Sequence, residues 1–319
     1  MKSIKPDPVL KDYWSNNDRF ADLFNQVFFK GKIMIHATHL TDGDTEESTI
    51  FFDKERISSI SRHRDVIKQY EDIDFVLIGL ENQMKIHYAM PVRTMLYDSL
   101  RYTKQCKIVE SQHRKTKDLN TSDEFLSGMK KEDRLKPVIT LVVYYGEKPW
   151  DGPEHLSDMM NIPLEFKNLI NDSKIHLLQL RQADKYSFKN KDNRDFFSIV
   201  NELYGTSKVD IKSFKEKYPN MEIYWETMAA IGVATGAMEL VEYAQEHKGG
   251  QINMCTALEN LKKEGIEEGI EQGIEQERQQ SINKSIKMLR KNGIKDTDII
   301  HSIMESYDVS YDELKQLLI

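Results

Sequence analysis

KPVITLVVYYG, residues 136–146, decides the fold class. After Pro137 the run is apolar and β-branched apart from one threonine hydroxyl, the composition of a strand buried on both faces. Such a strand lies inside a sheet that helices cover, and the flanking segments agree with that. PVRTMLYDSLRYTKQ (91–105) places Met95, Leu96, Leu100 and Tyr102 at helical spacing behind a proline in the first turn. A polar, basic connection separates that helix from the buried strand. Upstream, IDFVLIGLENQM (73–84) reads as the longest strand, with TIFFD (49–53) and RHRDVIKQY (62–70) as shorter ones. Asp72 sits at the turn that would join residues 62–70 to residues 73–84 as a hairpin. DRFADLFNQVFF (18–29) gives a first helix through Phe20, Leu23, Phe24, Val27 and Phe28, with Asn17 or Asp18 as cap and Gly31 after its end. Downstream, KIHLLQL (174–180) reads as a further strand, and RDFFSIVNELYG (194–205) and residues 221–245 as helices. The expectation is an α/β fold, a mixed sheet flanked by helices.

The 319 residues, 39% hydrophobic and 30% charged, hold enough apolar material for one sizeable core and a smaller appended unit. No apolar run approaches the roughly 20 residues that span a bilayer. The start, MKSIKPDPVLKDYW, carries no secretory-type apolar stretch, so a cytoplasmic location is expected. Cys106 and Cys255 are far apart, without the spacing of a zinc site or a disulfide framework. The net charge of −7 argues against a protein that coats nucleic acid but permits local recognition. Basic residues cluster at Arg62 and Arg64, at Lys104 and Lys107, along HRKTK (113–117) and in KKEDRLK (130–136). Such clusters suit either a phosphate backbone or a solvated loop.

The C-terminal part differs in character. EGIEEGIEQGIEQE (264–277) repeats every four residues and sets Ile266, Ile270 and Ile274 along one drifting stripe of a helix. Each glycine weakens that helix by about 1 kcal/mol relative to alanine, so the stripe needs a partner. Self-association through residues 256–292 is the expectation, with packing onto the protein's own core as the alternative. KDTDIIHSIMESY and SYDELKQLL follow as two short helices of a small terminal bundle. The expected organisation is a domain over 1–250, a repeat helix over 251–292 and a small helical unit over 293–319.

The strand of residues 73–84 ends in Glu81, Asn82 and Gln83 rather than in a turn. Residues two apart in a strand face the same way, so Glu81, Gln83 and Lys85 share a face if the strand persists, with Asp65 available on the preceding strand. Two acids converging at a sheet end can hold a divalent cation through oxygen, and a polar neighbour can orient water. That chemistry suits phosphodiester hydrolysis, although an acid and an ExQ at this spacing also arise by chance.

Asp65, the E81-N82-Q83 triplet, KIHYAMPVRTMLYDSLRY, PVITLVVYYGEKPWDGP and the late EGIEEGIEQGIEQE repeat occur here in order. In these motifs the chain resembles the Rpn family of recombination-promoting nucleases and transposase-like proteins, within the PD-(D/E)XK nuclease superfamily. The likeness covers residues 15 to about 180 and returns in the C-terminal repeat. It implies a restriction-endonuclease-like core, magnesium-dependent DNA cleavage and a part in recombination or mobile-element biology. Asp65 matches the first acidic position, and Glu81 and Gln83 match the ExK position with glutamine in place of lysine. Lysine stabilises developing negative charge, whereas glutamine only hydrogen-bonds. A fold that binds DNA or assembles on it without useful turnover is therefore the alternative.

The resemblance extends to weaker candidates. Lys85 is either a replacement for the missing charge or a lysine leaving the sheet for solvent. Asp18 and Asp22, one turn apart, are further candidate ligands of Mg2+ or another divalent cation, with Asp18 also a candidate cap. His63, His87 and Tyr88 are ambiguous. Arg93 and Tyr97 share a helix face and match an arginine and a tyrosine of the family, for phosphate contact or for bracing. Packing against the sheet is the plainer reading of Tyr97, and a structural plug that of Trp150. With Arg62, Arg64, Lys104 and Lys107, Arg93 completes the candidate DNA contacts.

Overall fold

The computed structural model describes residues 6–44, 46–53, 56–63, 66–71, 73–79, 86–204, 210–307 and 309–310. Two compact units divide the chain, Met1–Met254 and Cys255–Ile319.

The first unit opens with helix α1 (Pro6–Ser15) and α2 (Asn17–Phe29). The cap of α2 is Asn16, not Asn17 or Asp18: its side chain accepts the N–H groups of Asp18 and Arg19 and fills the orphaned first turn. Strands β1 (Leu40–Asp42), β2 (Glu46–Asp53), β3 (Arg56–His63), β4 (Val66–Tyr70) and β5 (Ile73–Gly79) follow. RHRDVIKQY is thus not one strand. Arg62 and His63 end β3, which among the described residues pairs with β2 in a separate two-stranded ribbon, while residues 66–70 join the main sheet. The expected hairpin is present as β4 and β5, antiparallel with Val66 opposite Leu77 and Tyr70 opposite Ile73. The expected continuation of β5 over residues 80–84 lies outside the described residues.

Helix α3 (Met90–Thr116) runs well past Gln105, so HRKTK belongs largely to its last turn rather than to a connection. Part of the next segment is also helical, as α4 (Ser122–Ser127), which starts in a capping box between Thr121 and Glu124. The apolar run of residues 136–146 then forms β6 (Val138–Tyr144), parallel to β5 on one side and to β7 (His176–Gln179) on the other. The five-stranded mixed sheet has the order β1-β4-β5-β6-β7. Parallel neighbours need a crossover, and α3 supplies it between β5 and β6.

The faces of the sheet are set by alternation. On β4, Ile67 packs with Tyr97 of α3, while Lys68 reaches the Ser15 carbonyl on α1. On β6, the Thr140 hydroxyl meets Asp98 of α3, and Val142 and Tyr144 pack with Met90. Just beyond, Tyr145 Oη accepts the Trp14 indole N–H from α1 at 2.9 Å. Helix α3 therefore covers one face and α1 the other. Leu141, Val142 and Val143 have no exposed surface, worth about 1.5–3 kcal/mol for each such side chain.

On the α1 side, α5 (Lys191–Leu203) brings Phe196 and Phe197 against Tyr13 and Trp14. Helix α6 (Ile211–Lys217), β8 (Glu222–Tyr224), α7 (Trp225–Thr235), α8 (Met238–Glu246) and β9 (Gln251–Asn253) complete the unit, with β9 antiparallel to β8. The expected small-residue packing is present at Gly232, where a Cβ would lie 2.7 Å from Val241 Cγ2 and 2.8 Å from the Ala237 carbonyl.

The repeat belongs to one continuous helix, α9 (Met254–Lys291). In the second unit α9 packs Ile282 and Ile286 against Ile299 and Ile303 of α10 (Asp296–Tyr307). SYDELKQLL lies outside the described residues from Tyr311 onward. No described helix is long and apolar enough to cross a membrane.

Candidate functional site

Antiparallel pairing puts the first residue of β4 and the last residues of β5 at one end of the sheet, because Val66 faces Leu77 across the ladder. The parallel pairing of β5 with β6, Gly79 beside Val143, brings the C-terminal end of β6 to the same edge. Helix α3, running back across the sheet, begins there, with Met90 buried against Val142 and Tyr144. Open α/β sheets bind ligands at the carboxyl ends of parallel strands, so this edge is the candidate site.

Asp65, Glu81, Gln83 and Lys85 lie outside the described residues, as does Arg64. The side chain of Arg62 is not described; its backbone pairs with Glu47 on the ribbon. Among the described residues no group of three or more His, Cys, Asp or Glu side chains is arranged to hold a metal ion. Asp18 is exposed on α2. Asp22 is 9% exposed, and its oxygens accept the Lys189 backbone N–H at 2.9 Å and Asn193 Nδ2 at 3.0 Å. Those bonds fasten α2 to the start of α5, in the layer opposite α3.

Arg93 and Tyr97 are brought together, Nε donating to the phenolic oxygen at 3.1 Å with the guanidinium 5.4 Å from the ring centre. Tyr97 is buried against Ile67 and Val138, as its plainer reading had it. Arg93 is half-buried near the start of α3. Lys104 donates to the Asp44 carboxylate at 2.7 Å, and Lys107 is exposed one turn later. His87 and Tyr88 are exposed just before α3. Trp150 packs edge-on against Tyr144, centroids 5.2 Å apart, which agrees with a plug after β6.

Sequence reasoning passed over the polar groups that brace this sheet. Asp74, 1% exposed on β5, accepts Arg101 Nε of α3 at 2.8 Å, Gln69 Nε2 at 3.1 Å and Gln105 Nε2 at 3.3 Å. Lys68, 2% exposed, holds Asp42 on β1 as well as the Ser15 carbonyl. The available signal was a lone carboxylate in β5 and a lone lysine in β4, each beside apolar residues, since ionised groups enter a core only when paired.

At the far end of α3, His113 lies between two carboxylates, Nδ1 at 2.8 Å from Asp118 and Nε2 at 2.8 Å from Asp133. Hydrogen bonds to both acids raise its pKa. Lys130, followed by Thr116 and His113, holds Asp118 well below the usual carboxylate range. Both ring nitrogens donate when the ring is charged, so the cluster clasps the connection between α3 and α4.

No family model, curated protein or solved structure matches this chain.

Proposed function

We propose that the protein is a metal-dependent DNA endonuclease with a restriction-endonuclease-like core. The observation that carries this reading is the sheet edge where β4 begins and β5 ends. In sequence, Asp65 immediately precedes β4, and Glu81 and Gln83 follow β5 within four residues of Gly79. Antiparallel pairing makes such neighbours natural partners in one site. Two carboxylates and an amide are hard oxygen donors, the set that suits Mg2+ or a similar divalent cation. When bound, the cation would supply Lewis acidity toward a phosphodiester and its attacking water. Asp65 and Glu81 would hold it, and Gln83 would orient water or a phosphate oxygen. Arg93, Lys104 and Lys107 are the candidates for the DNA backbone whose side chains are described, and the motif resemblance ties the activity to recombination or mobile elements.

A plasmid-nicking assay with and without magnesium tests the reading. Asp65→Asn and Glu81→Gln are expected to abolish nicking while circular dichroism and melting stay unchanged, since each removes charge but keeps shape. Gln83→Lys should retain activity, and Gln83→Ala should lose turnover more than affinity. Undiminished nicking by either carboxylate variant sinks the assignment. Metal-independent DNA binding without nicking by the natural chain would instead favour an assembly role.

A further inference from the structure

Among the described residues, the Tyr144 hydroxyl and the Trp150 indole N–H are buried without a hydrogen-bond partner. Both belong to one cluster, at the carboxyl end of β6 and against Met90 of α3. A buried polar atom left unsatisfied destabilises the fold, and phenylalanine would fill the Tyr144 position without that penalty. Gly146 deepens the point, because a Cβ there would collide with the Tyr144 hydroxyl, so the chain keeps a bare backbone beside that oxygen.

The surroundings indicate what is missing. Indole nitrogen only donates, so the absent partner of Trp150 is an acceptor, and a phenol can donate to the same atom. The neighbouring start of α3 has no side-chain cap on its first turn, and Pro91 leaves that turn with few N–H groups of its own. A 27-residue helix nevertheless presents its positive end there, which favours a negatively charged oxygen. Tyr88 and Val92 beside it are 61% and 40% exposed, so the flank of the cluster is open. Asp151, the exposed residue after Trp150, acts electrostatically on the Tyr144 hydroxyl and opposes an anion there, an effect that salt weakens.

We propose that Tyr144 and Trp150 form a donor pair that receives one phosphate oxygen at the carboxyl end of β6. The proposal rests on the nuclease reading for the source of the phosphate, a DNA backbone, and makes Tyr144 a positioning residue for it. Its signature is a split between stability and function. Tyr144→Phe removes an unsatisfied hydroxyl, so the free protein should melt at the same or a higher temperature while binding its ligand less well.

The test follows the Trp150 indole proton by NMR in the full chain, titrated separately with inorganic phosphate and with a duplex DNA, magnesium absent. Downfield movement of that proton with either ligand, weakened at least threefold in apparent affinity by Tyr144→Phe at unchanged or raised melting temperature, supports the pair. Trp150→Phe should weaken DNA binding to a similar degree. Movement with phosphate but none with DNA overturns the pair as a DNA contact and leaves the nuclease reading to the nicking assay. Full DNA binding and nicking by Tyr144→Phe overturns the pair and leaves that reading standing. A Tyr144→Phe protein that melts lower also overturns it, because the hydroxyl then has a structural partner such as a buried water.

Discussion

Replacing Asp74 by alanine should cost the first unit about 4 kcal/mol, the middle of the roughly 3–5 kcal/mol range for removing one partner of a buried ion pair. The size follows from what is stranded. Arg101 and Asp74 have side chains 6% and 1% exposed, and the change takes from Arg101 Nε the carboxylate that it meets at 2.8 Å. Gln105 retains the Lys136 carbonyl at 3.1 Å, so its amide is not orphaned, whereas Gln69 loses its acceptor. All three tryptophans, Trp14, Trp150 and Trp225, lie within Met1–Met254, so tryptophan fluorescence reports that unit alone. With a urea slope of about 2.5 kcal/mol per molar, the midpoint should fall by roughly 1.5 M. The double variant Asp74→Leu with Arg101→Met, which removes both charges, should recover most of the loss. A single-variant effect under about 1 kcal/mol, or a double variant no better than the single, refutes the view that this pair braces α3 onto β5.

His113 has a folded pKa raised above its ordinary value, chiefly by its bonds to Asp118 and Asp133. Its contribution is therefore fully present below the unfolded value of about 6.5 and is lost as pH rises through the folded value. Hydrogen exchange across residues 117–133, corrected for intrinsic rates, should speed up over that interval, and Asp118→Asn should shift the interval downward. Gly232→Ala should destabilise by about 1–3 kcal/mol because its Cβ meets Val241 and the Ala237 carbonyl, measured by urea unfolding. Gly269→Ala, with nothing within 4 Å of its Cβ, should instead gain about 0.5–1 kcal/mol, seen as greater helicity on heating. Ile266, Ile270 and Ile274 are 53%, 57% and 61% exposed, so changing all three to serine should lower the subunit number in light scattering if the stripe binds another copy.

How much the residues disclosed in advance depended on the strength of their periodicity. Val138–Tyr144 was plain because a run of β-branched apolar residues has few other uses, and Phe20 to Phe28 because they mark one helix face over more than two turns. Helix α3 was seen only as far as Gln105, since its second half is charged on nearly every face and its packing is too slight to leave a pattern. The ribbon strand Arg56–His63 was missed for a similar reason: its serines and arginines lack a hydrophobic alternation, and its pairing comes from a partner along the chain. At the site, the acids were named from their order in the sequence. Asp74 and Arg101 went unseen because pairing across a sheet and a helix depends on register, which no local pattern encodes.

The connectivity of the sheet also sets an order in time. Strands β4 and β5 meet across a turn between Tyr70 and Ile73, a closure of the kind that hairpins complete in about 1–10 μs. Strand β6 reaches β5 only when Val138 finds Asp74, after the whole of α3 has been spanned, and β7 must then find β6. Long-range pairing of this sort is slow because chain entropy is lost before contacts repay it. The β4–β5 hairpin thus belongs to the earliest part of the sheet to assemble. Arg101 comes with α3, which lies between β5 and β6 along the chain, and pairs with Asp74 at the opposite end of β5, so the crossover helix and the strand that follows it meet β5 at one point.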